Sequence, residues 1–299
     1  MKRVLVVVPL ALGGLVIFVY GRSESMLEAP VPAPSPVVFE AVDAAGLARG
    51  EHLAESVLSC GLCHGDDLGG APMVDDGPTG RLWAPNLTRG AGGFAATATP
   101  TDWMGAIRFG RRADGRSLAL MPSAYHASLA DGDVAAIVAW IERLPPVDRT
   151  VPARRVGWLT RTVLAFGLAD DLLSARGARP ATARAVQESL REEGERLVDL
   201  ANCRVCHGPD LRGGLHPLAL PDEPTPPDLR PGGALADWTR SDFGRALREG
   251  RTPDGRQLDP AYMPWPRFAG LSDRELDALW QALRPDTIAT SRHAAHASR

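Results

Sequence analysis

The sequence predicts two tandem helical domains of similar design behind an N-terminal apolar segment. Three observations lead there. A five-residue Cys/His motif occurs twice, the residues around it recur in the same order, and an apolar run from Val4 to Tyr20 precedes both copies. At 299 residues the chain has room for two modest domains. Its 44% hydrophobic and 23% charged residues are those of a globular protein. The net charge of -3 argues against nucleic acid as a partner. Lys2 is the only lysine, so any cationic docking patch must be built from arginine, which grips carboxylates as a fork.

Lys2 and Arg3 precede the apolar run, which is long for a signal-peptide core and short for a membrane span. Residues 1–22 therefore read as a signal anchor or a cleaved signal peptide. The cleavage site after Gly21 is poor, which favours the anchor. Basic residues before the run hold its N-terminus in the cytoplasm. The remainder is expected on the periplasmic side of a bacterial inner membrane, or free in the periplasm if the segment is cut. Residues 23–40 form a Pro-rich linker. Pro30, Pro32, Pro34 and Pro36 favour extended polyproline geometry, so a semi-rigid stalk lifting the first domain off the membrane is expected.

A helical pattern opens near Ala44, with Leu47, Leu53, Val57 and Leu58 on its apolar side, and runs into Cys60-Gly61-Leu62-Cys63-His64. The arrangement returns from Val186 to Leu200, before Cys203-Arg204-Val205-Cys206-His207. Gly50-Glu51-His52-Leu53 matches Gly194-Glu195-Arg196-Leu197, and Ala84-Pro85-Asn86-Leu87 matches Pro226-Pro227-Asp228-Leu229. Ile107 to Gly110 with Asp114-Gly115-Arg116 matches Leu247 to Gly250 with Asp254-Gly255-Arg256. Leu129-Ala130-Asp131 then opens a helix to Leu144, as Leu271-Ser272-Asp273 opens one to Leu283. Asp or Ser caps the first turn, and Pro145 and Pro285 mark the stops. The domains are thus 41–150 and 186–285, with a connector at 151–185 and a small, polar tail at 286–299 that is expected to be disordered. Within the connector, Val156 to Leu173 reads as a segment packed between the domains; a partner-docking or membrane-surface element is the alternative.

C-x-x-C-H is the attachment signature of c-type haem, whose vinyl groups take up the two thiols while the imidazole ligates the iron. The two motifs use all four cysteines of the chain. A zinc site would need the distant Cys pairs to converge on one ion, and a thiol-redox pair would need neither histidine nor repetition. Cys60, Cys63, Cys203 and Cys206 are therefore the expected haem-binding residues, with His64 and His207 as iron ligands. The sixth ligands are expected to be Met121 and Met263. Each precedes a proline, and 57 positions (64 to 121) and 56 positions (207 to 263) separate them from the histidines. Met73 and Met104 lack counterparts and read as packing residues. His126 reads as solvated, with displacement of the nearby Met121 as the alternative, His216 as solvated or loop-bonded, and His52 as exposed or interfacial because Arg196 replaces it, while His293 and His296 lie in the tail. Pro85 and Pro227 are placed for a backbone carbonyl to fix each imidazole tautomer. Arg108 and Arg248 face either haem propionates or water. Asp66, Asp67, Asp75 and Asp76 read as a solvated loop, with steering of a basic partner as the alternative.

Together these motifs resemble the class I cytochrome c family, in its tandem di-haem form, over about residues 41–145 and 186–285. That resemblance implies an all-α fold of two tandem cytochrome c domains, one haem c each, with the first and last helix of each crossing. Similar units serve as cytochrome subunits of periplasmic dehydrogenases or as tethered carriers feeding oxidases. One departure is that Trp140 supplies the usual aromatic of the last helix, whereas Ala282 stands there in the second domain with Trp280 nearby. The function expected is transfer of electrons between periplasmic or membrane redox partners, such as a dehydrogenase or terminal oxidase, without catalysis of its own. A di-haem peroxidase or sulfur-compound-oxidising enzyme is the alternative. It would need one substrate-accessible haem, whereas both repeats keep Met-Pro in register.

Overall fold

The computed structural model describes residues 2–168, 173–174, 188–215 and 222–284. The helices are α1 (Lys2–Leu27), α2 (Ala44–His52), α3 (Cys60–His64), α4 (Pro100–Phe109), α5 (Ser123–His126), α6 (Asp131–Ile141), α7 (Trp158–Ala165), α8 (Leu190–Leu200), α9 (Cys203–His207), α10 (Arg240–Glu249), α11 (Trp265–Phe268) and α12 (Asp273–Leu283). Among the described residues there are three strands, β1 (Ala71–Asp76), β2 (Gly80–Ala84) and β3 (Arg155–Val156). The chain divides into two compact units. One comprises Met1–Ala41, Cys63–Ala127 and Val138–Arg179, the other Val42–Leu62, Ser128–Ile137 and Pro180–Arg299. The connector from 175 to 185, His216, and the tail from 286 with His293 and His296 lie outside the described residues.

In the first unit the base of α1 docks on α7, where Met26, Leu27, Leu164 and Leu173 form a buried cluster flanked by Val156. The expected stalk is corrected on two counts. Residues 23–27 continue α1, because no proline falls between Pro9, early in the helix, and Pro30. The prolines themselves lie along the unit. Val31 N–H donates to the Gly115 carbonyl at 2.9 Å, Arg111 Nε donates to the Val31 carbonyl at 3.2 Å, and Val37 N–H reaches Thr101 Oγ1 at 3.1 Å. Proline fixes its own φ but leaves the intervening peptide groups free to pair with a loop edge.

The all-α expectation is likewise corrected, because the protein is helix-rich with one small sheet. β1 and β2 form an antiparallel hairpin, Ala71 opposite Ala84, and β3 adds to β2 with Gly80 opposite Val156. Asp76 Oδ1 takes the Thr79 N–H at 2.6 Å, closing the turn, and Gly80 at φ 116° lets the chain leave it. Each strand is too short for its alternation to stand out beside the helical repeat. Helix α4 follows with a capping box from Thr99 to Asp102 and Pro100 in its first turn, and ends at left-handed Gly110.

In the second unit α8 and α12 cross at Gly194, where an added Cβ would fall on the Ala278 carbonyl. Gly50 of α2 approaches the Ala136 carbonyl of α6 in the same way. The crossing of first and last helices thus recurs in both repeats, and glycine is what permits it. Capping boxes start α8 at Ser189–Glu192 and α12 at Ser272–Glu275. Leu197, Leu200, Leu276, Leu279 and Leu283 fill the core between them. Helix α6 stops at Ile141, short of Leu144, and α2 runs on into a π-turn at Leu53–Val57 closed by Leu58 N–H to the Leu53 carbonyl at 2.8 Å.

Candidate haem sites

Each Cys/His motif forms a single helical turn entered through a left-handed residue, Ser59 (φ 54°) before α3 and Asn202 (φ 58°) before α9. The loop after each histidine then closes on itself. The His64 and His207 carbonyls accept the Gly70 and Gly213 N–H groups, both at 2.8 Å. Leu68 and Leu211 are held at φ 50° and 62°, and their carbonyls accept Leu87 N–H at 2.8 Å and Leu229 N–H at 2.9 Å. A left-handed leucine costs about 1–2 kcal/mol, and the flanking hydrogen bonds offset it.

This loop brings a proline carbonyl onto each buried imidazole. His64 Nδ1 lies 2.8 Å from the Pro85 oxygen, and His207 Nδ1 lies 2.9 Å from the Pro227 oxygen. A carbonyl can only accept, so Nδ1 carries the proton and the Nε2 lone pair is left for a metal. Burial holds both imidazoles below the usual histidine range, against the smaller upward pull of the carbonyl. Each ring is therefore neutral, with its Nε2 unprotonated.

Met121 and Met263 are partly buried, and each precedes a short helix. Their carbonyls accept Ser123 N–H at 2.8 Å and Trp265 N–H at 2.7 Å. The approach to them differs. In the first repeat Leu120 turns the chain at φ 67°. In the second, Asp259 does so, its Oδ1 taking Ala261 N–H and its carbonyl taking Met263 N–H, both at 2.9 Å.

Two buried indole N–H groups in the first unit, on Trp83 and Trp103, have no acceptor among the described residues. Donors of this kind suit a carboxylate-bearing group such as a haem. In the second repeat Phe243 stands where Trp103 does, and Trp265 Nε1 donates to the Leu258 carbonyl at 3.1 Å.

Several sequence expectations need revision. His126 is 3% exposed, not solvated, and occupies the core position that Phe268 fills in the second repeat. Met104 is buried as expected, but Met73 is 38% exposed on β1. Arg248 donates to Asp273 Oδ1 at 2.9 Å and to the Leu271 carbonyl at 2.8 Å. Arg108 lies against Met104 Sδ and the Phe109 ring. Asp67 pairs with Arg149 at 3.1 Å and Asp75 with Arg81 at 3.0 Å, so much of the acidic cluster is neutralised. His52 pairs with Glu275 at 2.9 Å.

Sequence reading missed two residues. The wholly buried Asn86 donates through Nδ2 to the Val147 carbonyl at 2.6 Å and so pins the loop that carries Pro85. Asn202 Nδ2 donates to the Leu58 carbonyl at 3.2 Å, tying together the chain just before both motifs. The available signal was its place: asparagine is among the few residues that adopt φ > 0 readily.

Residues 45–141 match the family described as cytochrome c oxidase, cbb3-type, subunit III, and residues 191–281 match the family described as cytochrome c. Among curated proteins, the alcohol dehydrogenase (quinone) cytochrome c subunit of Gluconobacter oxydans is 33% identical over 44% of this chain and 27% of its own length. The gluconate 2-dehydrogenase cytochrome c subunit of Pantoea cypripedii is 34% identical over 31% and 22%. The fructose dehydrogenase cytochrome subunit of Gluconobacter japonicus is 25% identical over 72% and 47%. The chain thus spans less than half the length of each of these relatives.

Proposed function

From the premise that this chain carries two cytochrome c domains in tandem, of the di-haem class I type, we propose that it passes electrons through two covalently held haems c. Cys60 and Cys63 hold one haem and Cys203 and Cys206 the other. His64 and Met121 ligate the first iron, His207 and Met263 the second. The observation that carries this reading is the repeated pairing of a buried histidine Nδ1 with a proline carbonyl, at 2.8 and 2.9 Å. Haem supplies one-electron chemistry, and thioether ligation favours its reduced state. The protein's own part is to fix the imidazole tautomer, to keep water from the ligands, and to offer a docking surface. Leu62 and Val205, the half-exposed residues beside Cys63 and Cys206, suit the surface through which electrons enter and leave.

The partner is a dehydrogenase that delivers electrons from a small oxidisable substrate, as the names of the relatives suggest. Helix α1 is long and apolar enough to cross a membrane, and its run from Val4 to Tyr20 anchors the chain with both haem domains on the periplasmic side of a bacterial inner membrane. An anaerobic optical redox titration of the haem-loaded chain tests the proposal. Two low-spin, relatively high-potential haems that ignore carbon monoxide are expected. A high-spin haem that binds the gas would overturn the paired His/Met assignment.

A further inference from the structure

The connector carries apolar side chains that the haem sites do not use. Helix α7 buries Val163, Leu164 and Ala165, yet the chain leaves it through Phe166, Gly167 and Leu168, where Phe166 is 54% and Leu168 62% exposed. Gly167 at φ 69° turns the backbone there. The Phe166 ring meets the half-exposed Phe18 of α1 with centroids 5.9 Å apart. Around Phe18, Leu15, Val16 and Ile17 are exposed as well, so the turn extends an apolar surface that α1 already presents.

The height of that surface follows from the helix. About 20 helical residues cross a hydrocarbon layer of about 30 Å, which from Lys2 puts the outer boundary near Tyr20 to Arg22. Phe18, and with it Phe166, then falls on the acyl side. Tyr20 sits at headgroup level under the Arg161 guanidinium, 5.0 Å from its ring. Above it polar contacts take over. Arg161 binds Ser23 Oγ at 3.1 Å and Glu24 at 2.7 Å, and Glu28 pairs with Arg154 at 2.8 Å. The change from apolar to ion-paired contacts occurs within about two turns of α1, as a lipid–water boundary requires.

We propose that the Phe166–Gly167–Leu168 turn dips into the outer leaflet beside α1, so that the connector sets the height and tilt of the first haem-bearing unit above the bilayer. The proposal rests on reading α1 as a membrane anchor. Its occupant is lipid, because the turn is continuous with the lipid-facing side of α1 and presents no charged side chain.

The full haem-loaded chain is reconstituted in phosphatidylcholine vesicles whose acyl chains carry a photoactivatable diazirine, and lipid adducts are mapped by peptide mass. Adducts on both α1 and residues 166–168 are expected. The double variant Phe166→Glu, Leu168→Glu should lose the connector adducts while keeping those on α1 and an unchanged Soret spectrum. Labelled α1 with an unlabelled turn would overturn this inference and leave the anchor standing. If neither is labelled, the anchor reading fails first. A turn labelled in the chain alone, but protected once a dehydrogenase partner is bound in the same vesicles, would assign the surface to protein and overturn the lipid occupant.

Discussion

Ser59, Gly65, Leu68, Gly70, Gly110 and Gly115 all hold φ > 0, and so do Asn202, Gly208, Leu211, Gly213, Gly250 and Gly255, their counterparts in the second repeat. Two of the six pairs need glycine in neither copy, and one changes Ser for Asn. The side chains around this frame diverge. The first repeat adds a hairpin and two unpartnered indoles, while the second shows no strand among its described residues and satisfies its Trp265 indole internally. What the two copies share is the backbone path that presents a histidine. What they do not share is the hairpin and the surroundings of the indoles.

The comparison breaks most visibly if the methionines are not equivalent. Met121→Ala and Met263→Ala should each open one sixth position. Each variant is then expected to gain carbon monoxide binding and high-spin character in about half of its haem, since axial ligands dominate a range of roughly 0.8 V in potential. Spectra of the reduced, gas-treated variants check this. Silence from one variant would mean that its repeat uses a different ligand.

Next in size are the helix crossings. Gly50→Val and Gly194→Val put a Cβ against the backbone carbonyls of Ala136 and Ala278, which no rotamer change relieves. A loss of about 3 kcal/mol or more is expected for each. Urea unfolding followed at the Soret band measures it. Similar losses would show that the two crossings bear equal load.

A smaller effect separates the repeats. Trp103→Phe removes one of the unpartnered indole donors and gives the first repeat the side-chain type that Phe243 gives the second. The hydrogen bond this donor would give a haem carboxylate is worth about 1 kcal/mol, so its loss should lower one haem potential by at most roughly 40 mV and leave the other unchanged. Phe243→Tyr serves as the control and should move neither by a comparable amount.

The Cys/His motifs, the paired Met-Pro positions and the proline carbonyls were legible because each occurs twice at nearly equal spacing. Equal spacing also concealed something. The second repeat is three residues shorter from His207 to Gly250 than the first from His64 to Gly110, and two longer from Gly250 to Met263 than from Gly110 to Met121, so two differences nearly cancel. The hairpin was illegible because strands of five and six residues carry little periodic signal. His126 was misjudged because a histidine's burial depends on tertiary neighbours; only the matching Phe268 gave a hint. The strapped proline segment was misread for a similar reason, since composition fixes its extended geometry but not what it lies against.

The weakest of these contrasts is set by pH. His52 is bonded to Glu275, whereas Arg196, its counterpart, pairs with Glu188 at 3.0 Å. The hydrogen bond from Glu275 holds the His52 imidazole above the usual histidine range, against the opposing effect of burial. Burial pushes Glu275 up, but hydrogen bonds from His52 and Ser272 together bring it below the usual carboxylate range. Histidine stabilisation of this sign is complete below an ordinary value near ~6.5 and fades as pH rises through the raised one. The carboxylate's share is present above its ordinary value near ~4.3 and is lost as pH falls through the lowered one. Stability should therefore decline by about 0.5 kcal/mol from slightly acid to alkaline pH, the size of a partly exposed pair. His52→Arg copies the second repeat and should flatten that slope, because a guanidinium does not titrate there. Urea midpoints between pH 6 and 9 provide the measurement, and an unchanged slope in the variant would assign the pH dependence to other groups.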